Sequence, residues 1–121
     1  MPDQITVAID AMGGDNAPSA PVEGAVLAAR NGQAKILLVG DRNLIEIELA
    51  KYDTTGLPIS IIGSEGKVDD SEAPALALRQ KPKASILVAT GLVKTGSADA
   101  VISMGSTGGT MAAAVVILGT I

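Results

Sequence analysis

Two short stretches concentrate the side chains that can do chemistry. "DAMGGDNAP", Asp10 to Pro18, holds two carboxylates, the paired glycines Gly13 and Gly14, and the amide of Asn16. "SMGSTGGT", Ser103 to Thr110, holds three glycines and three hydroxyl residues after Met104, and it opens an apolar segment. Glycines let backbone amides approach a ligand, and the unpaired N–H groups at a helix start suit phosphate. Gly105, Ser106, Thr107 and Gly108 therefore read either as a phosphate cradle or as a capped strand-to-helix turn with Ser106 or Thr107 as N-cap. The stretch lacks the Gly-Lys-Ser/Thr of a P-loop, and glycines at 105, 108 and 109 do not make Gly-x-Gly-x-x-Gly. Asp10 and Asp15 suit a different task, because carboxylates repel anions. They can accept from N–H groups or hydroxyls, hold a cation, or act as acid or base. Taken alone, the first stretch reads more simply: Asp10 ends a strand, and Asp15 or Asn16 caps a helix.

Two charged stretches carry weaker signals. "VDDSEAP", Val68 to Pro74, has the acidic and proline residues of a helix start. "RQKPK", Arg79 to Lys83, places Arg79 and Lys81 at that helix's end, where cations are ordinary. The alternative for these two is a docking patch for an acidic partner.

Composition removes whole classes of chemistry. The 121 residues include no Cys and no His, which excludes a disulfide, a Ser-His-Asp triad, a cysteine thioester intermediate and a Cys/His zinc site. Chemistry is left to Asp, Glu, Lys, Arg, Ser, Thr, Asn and backbone amides, and no metal or cofactor is expected. A net charge of −4 sets up no field for nucleic acid. One Tyr with no Phe or Trp leaves nothing on which bases could stack. No basic segment precedes an apolar one at the N-terminus, so no signal peptide is expected. Residues 100–121 carry no charge, but Met111–Leu118 is too short to span a bilayer and reads as a buried helix.

The elements that position the two loops follow from the apolar pattern. Ile5–Asp10, Lys35–Val39, Ile59–Ile62 and Ala100–Ser103 are near-continuously apolar, as strands buried on both faces are. Helical segments are expected over Pro21–Asn31 with Gly32 behind it, and over Asn43–Tyr52. Pro74–Lys81, Ser85–Thr95 and Gly109–Leu118 follow. The order β-α-β-α-β-α-α-β-α predicts an α/β fold, a doubly wound and mainly parallel sheet with helices on both faces. Each strand runs into glycine and a small polar residue, at the sheet edge where open α/β folds bind ligands. An apolar helix leading to Ile121 leads us to expect that this fold is part of a larger one.

These segments together resemble the N-terminal part of the bacterial phosphate acyltransferase (PlsX) family. The matching residues are Ile9-Asp10-Ala11-Met12-Gly13-Gly14-Asp15 with Ala17-Pro18, then Leu38-Val39-Gly40-Asp41. Glu72-Ala73-Pro74 with Arg79, Lys81 and Ser85 follows, and last Ala98-Asp99-Ala100 running into Ser103, Gly105, Thr107 and Gly108. The resemblance implies a fold similar to phosphotransacetylases and to isocitrate and isopropylmalate dehydrogenases. Residues 1–121 would then be the N-terminal part of a single acyltransferase domain. It implies conversion of acyl-acyl carrier protein and inorganic phosphate into acyl phosphate for phospholipid synthesis, by a homodimer that is cytoplasmic or loosely membrane-associated. Asp10, Asp15 and Asn16 would serve catalysis. Gly13, Gly14, Gly105, Ser106, Thr107, Gly108, Arg79 and Lys81 would bind substrate or phosphate. The chain departs from the family at Asn16, where relatives carry His, and at Ser106, where they carry Asn. An acyl-CoA phosphotransacetylase, a dehydrogenase of the same fold group and an inactive oligomerising fragment are the rival expectations.

Overall fold

Runs of Ile, Val and Leu bounded by glycine and aspartate build the sheet. The computed structural model describes residues 5–13, 16–32, 34–65 and 84–103. They form four strands, β1 (Ile5–Asp10), β2 (Ala34–Gly40), β3 (Ile59–Gly63) and β4 (Ala100–Ser103). Three helices accompany them, α1 (Ser19–Arg30), α2 (Arg42–Leu49) and α3 (Ser85–Lys94). The helices expected over Pro74–Lys81 and Gly109–Leu118 lie outside the described residues.

All four strands are parallel, in the order β3-β2-β1-β4. Successive side chains alternate between the two faces. On one face Val7, Ile9, Ile36 and Leu38 pack against Val22 and Val26 of α1 and Ile45 of α2. On the other, Ala8, Leu37 and Val39 pack against Ala89 of α3. Burial on both faces is why β1 and β2 have unbroken apolar sequences. β3 and β4 are less deeply covered than expected: β3 is half-buried at Ile59, Ile61 and Ile62 and exposed at Ser60 and Gly63, and β4 alternates between exposed and half-buried. Each of those pairs with a single described strand, and Ile102 of β4 is 51% exposed. At its amino end β4 is tied to β1 twice: Asp99 N–H donates to Thr6 O at 2.7 Å, and Thr6 N–H donates to Asp99 Oδ2 at 2.8 Å.

The helix ends follow local chemistry. The N-cap of α1 is not Asn16, and Asp15 lies outside the described residues. Pro18 is the N-cap, and the first amides are met by backbone instead, Ala20 N–H by Asn16 O at 2.9 Å and Val22 N–H by Pro18 O at 3.0 Å. Gly32, at a φ of 71°, follows the C-cap Asn31 and donates to Ala29 O. Asp41 caps α2 by accepting from Leu44 N–H at 3.1 Å. That helix stops at Leu49, short of the expected Tyr52, because the amides of Lys51 and Tyr52 reach back only three residues, to Glu48 and Leu49.

Gly40 closes β2 against its neighbours. A Cβ there would stand 2.8 Å from Met12 Cγ and 3.1 Å from Ile45 Cδ1, whereas one at Gly24, on the exposed side of α1, would meet nothing within 4 Å. Gly40→Ala is expected to cost about 1–3 kcal/mol by overpacking. Gly24→Ala is expected to add about 0.5–1 kcal/mol by removing helix-interior glycine. Urea denaturation midpoints of the two variants check both signs.

Candidate functional site

The strand order reverses beside β1. The chain lays β2 and β3 on one side of it, then crosses back to place β4 on the other. Such a reversal leaves a crevice outside the carboxyl ends of the two diverging strands, the place where open α/β sheets take ligands. Asp10 ends β1, Ser103 ends β4, and the two are register partners across that crevice.

Their side chains meet. Ser103 Oγ donates to Asp10 Oδ2 at 3.0 Å, and Met12 N–H donates to Asp10 Oδ1 at 3.0 Å. Asp10 is only 4% exposed. A buried carboxylate needs donors on its oxygens, and here each oxygen has one. One donor belongs to the turn after β1, the other to the last residue of β4. Ala11 N–H donates to Val39 O at 2.8 Å, which ties the same turn to β2. A carboxylate engaged in this way orients its partners. It holds the start of both glycine-rich loops in one relative position.

The expected site residues distribute unevenly around this pair. Gly13 is buried directly beyond the turn, and Asn16 is exposed just before α1. Gly14, Asp15, Arg79, Lys81, Gly105, Ser106, Thr107 and Gly108 lie outside the described residues. Ser103 appeared in the sequence only as part of a matched string, and its role as the partner of Asp10 was missed. The available signal was a hydroxyl ending one strand and a carboxylate ending another, at the predicted ligand edge.

Electrostatic perturbation lies elsewhere. Asp53 is held below the usual carboxylate range by the hydrogen bonds of Thr55, with a smaller contribution from Arg30. It stands in the loop that precedes β3, so it belongs to the opposite sheet edge from Asp10. Among the described residues no cluster of three or more Asp or Glu could hold a metal ion. No described helix is long and apolar enough to cross a membrane.

Nearly the whole of the chain is similar to known proteins. The family model described as fatty acid synthesis protein matches residues 5–121. The chain is 54% identical over 113 residues to the phosphate acyltransferase of Moorella thermoacetica, covering 93% of this chain and 33% of that protein. It is 50% identical over 112 residues to the phosphate acyltransferase of Geobacter sulfurreducens, covering 93% and 32%. It is 50% identical over 115 residues to that of Acaryochloris marina, covering 95% and 33%. The chain belongs to the fatty acid synthesis protein family, and it spans about a third of the length of the curated relatives it matches.

Removing the strand-end bridge should be felt in stability. Ser103→Ala takes a donor from a buried carboxylate and is expected to cost about 1.5–3 kcal/mol. Asp10→Asn should cost less than Asp10→Ala, because its amide oxygen still accepts from Met12 N–H and the Ser103 hydroxyl can turn to accept. Chemical denaturation of the three variants gives the order.

Proposed function

We propose that this chain supplies the phosphate-holding part of an acyltransferase that makes fatty acyl phosphate from acyl-acyl carrier protein and inorganic phosphate, for phospholipid synthesis. The observation that carries the reading is the Ser103–Asp10 hydrogen bond at the strand reversal. It joins "DAMGGD" to the strand that leads into "GSTGG". The relatives named phosphate acyltransferase support the choice of reaction.

The chemistry suits a chain without Cys or His. A phosphate oxygen attacks the thioester carbonyl carbon, the C–O bond forms, and the C–S bond breaks. The thiolate leaves with the carrier protein and takes up a proton. No enzyme nucleophile is required. What is required is a bound dianion, an oriented carbonyl and donors for the developing oxyanion. We assign phosphate or oxyanion binding to the amides and hydroxyls of Ser106, Thr107 and Gly108, with Gly105 allowing close approach. Asp10 acts as a positioning residue through Met12 N–H and Ser103 Oγ. Gly13 and Gly14 let the first loop turn tightly, Asp15 orients donors within it, and Asn16 offers an amide that does not titrate near neutral pH. Arg79 and Lys81 contact phosphate or the acidic carrier protein. In this reading the remaining sheet is isocitrate dehydrogenase-like and the whole protein is a cytoplasmic homodimer with at most peripheral membrane association.

Acyl phosphate formation by the intact protein tests the assignment. Acyl-acyl carrier protein should be the preferred donor over acyl-CoA, and the reverse preference would make it a phosphotransacetylase-like enzyme. Thr107→Val is expected to raise the phosphate KM and to lower kcat by about 10²-fold. Unchanged values of both would remove Thr107 from the cradle. Because the chain spans about a third of its relatives, the 121 residues by themselves are expected to form no acyl phosphate.

A further inference from the structure

Met12 departs from the pattern of the strand it follows. Successive side chains alternate between faces, so Met12 would follow Ala8 to the α3 side of the sheet. Its side chain lies on the other side. Ile36 and Leu38 of β2 face α1 and α2, and Gly40 continues their row. A Cβ on Gly40 would stand 2.8 Å from Met12 Cγ and 2.9 Å from Met12 Sδ. The thioether therefore lies across the end of β2, in space left open because Gly40 has no side chain. Ile45 of α2 bounds the same space, with its Cδ1 3.1 Å from that point.

The main chain of Met12 is held separately. Its N–H donates to Asp10 Oδ1 at 3.0 Å, and the other oxygen of that carboxylate accepts from Ser103 at the end of β4. Met12 is thus tied through its amide to the β1–β4 pair and through its side chain to β2. Gly13 comes next and is buried, and Gly14 follows it in the sequence. Glycine has no side chain to anchor it and has the widest choice of backbone conformation, so two in succession take their starting direction from the residue before them. Methionine is flexible, so its own place has to be imposed, and here Gly40 and Ile45 impose it. We propose that Met12 is a positioning residue for the acyl transfer: seated on Gly40, its side chain sets where the glycine pair begins at the crevice. This role rests on the acyltransferase reading above, and Met12 acts through the loop, not on the substrate.

Steady-state kinetics of the intact protein, at a temperature where every variant is folded, tests the role. Met12→Ala is expected to lower kcat about 10-fold or more, with the KM for phosphate and for the acyl donor changed less than about 3-fold. Met12→Leu, close in volume, should keep kcat within about 3-fold of wild type. Val26→Ala trims the same core within α1, and it should lower the melting temperature while leaving kcat unchanged. Gly40→Ala displaces the thioether and should lower kcat as Met12→Ala does. In the double variant the second change should add less than about 2-fold, because the two residues act as one contact. Where Met12→Ala does not fold, Met12→Val gives the same comparison.

Amide hydrogen exchange reads the turn without turnover. Residues 10–13 should exchange faster in Met12→Ala than in the wild type or Met12→Leu, with α1 unchanged. A kcat for Met12→Ala within about 3-fold of wild type overturns the proposal. So does an equal fall in Val26→Ala, or full additivity of the Met12 and Gly40 changes. If the wild type forms no acyl phosphate, the acyl-transfer reading fails by itself. Exchange then decides the anchor: an unchanged turn in Met12→Ala overturns it, and faster exchange confined to the turn supports it.

Discussion

A carboxylate buried beneath a sheet edge must be met by donors, and the arrangement around Asp10 follows from that need. Its two oxygens recruit an amide from the turn it begins and a hydroxyl from the end of another strand. Neither donor comes from a cation among the described residues. The charge is therefore compensated by dipoles that point at it from fixed positions, and any shift of β4 against β1 leaves an oxygen unmet. Register and loop placement become one property.

The rest of the fold keeps those strand ends still. Ala8, Ala25, Ala29 and Ala89 are buried where sheet and helices meet, and small side chains let the layers approach closely. With no Phe or Trp in the chain, cohesion comes from many Ile, Leu and Val contacts on both faces of β1 and β2. The two central strands are thus the most deeply buried strands of the described sheet, and Asp10 ends one of them. Gly40 ends the other, with Met12 packed so close over it that no larger residue fits without displacement.

The described elements were legible in the sequence to within a few residues, because unbroken apolar runs and glycine stops are signals written locally. The exposure of β3 and β4 was not legible, since composition does not reveal which strands flank a sheet. At the start of α1 backbone does work expected of a side chain: Asn16 contributes its carbonyl. At the candidate site Asp10 and Gly13 stood out through their motif, whereas Ser103 did not, because its meaning lies in a register pairing 93 residues away. Ser85 looked like an ordinary helix start. Only burial shows that its hydroxyl lacks a partner.

The pairing of β1 with β4 also orders events in time. Both polar clasps between these strands, Thr6 with Asp99 and Ser103 with Asp10, join residues 93 positions apart. β1 and β2 are separated by little more than one helix, so their contacts close with far less loss of chain entropy. A chain emerging during synthesis can assemble β1, α1 and β2 while β4 is still absent. The crevice waits for the longest closure in the described fold, and such closures slow folding. Until then Asp10 stays in water, where a carboxylate rests at no cost. The edge that holds Asp10 and Ser103 closes last in this order, and its carboxylate is buried only when the hydroxyl that matches it arrives.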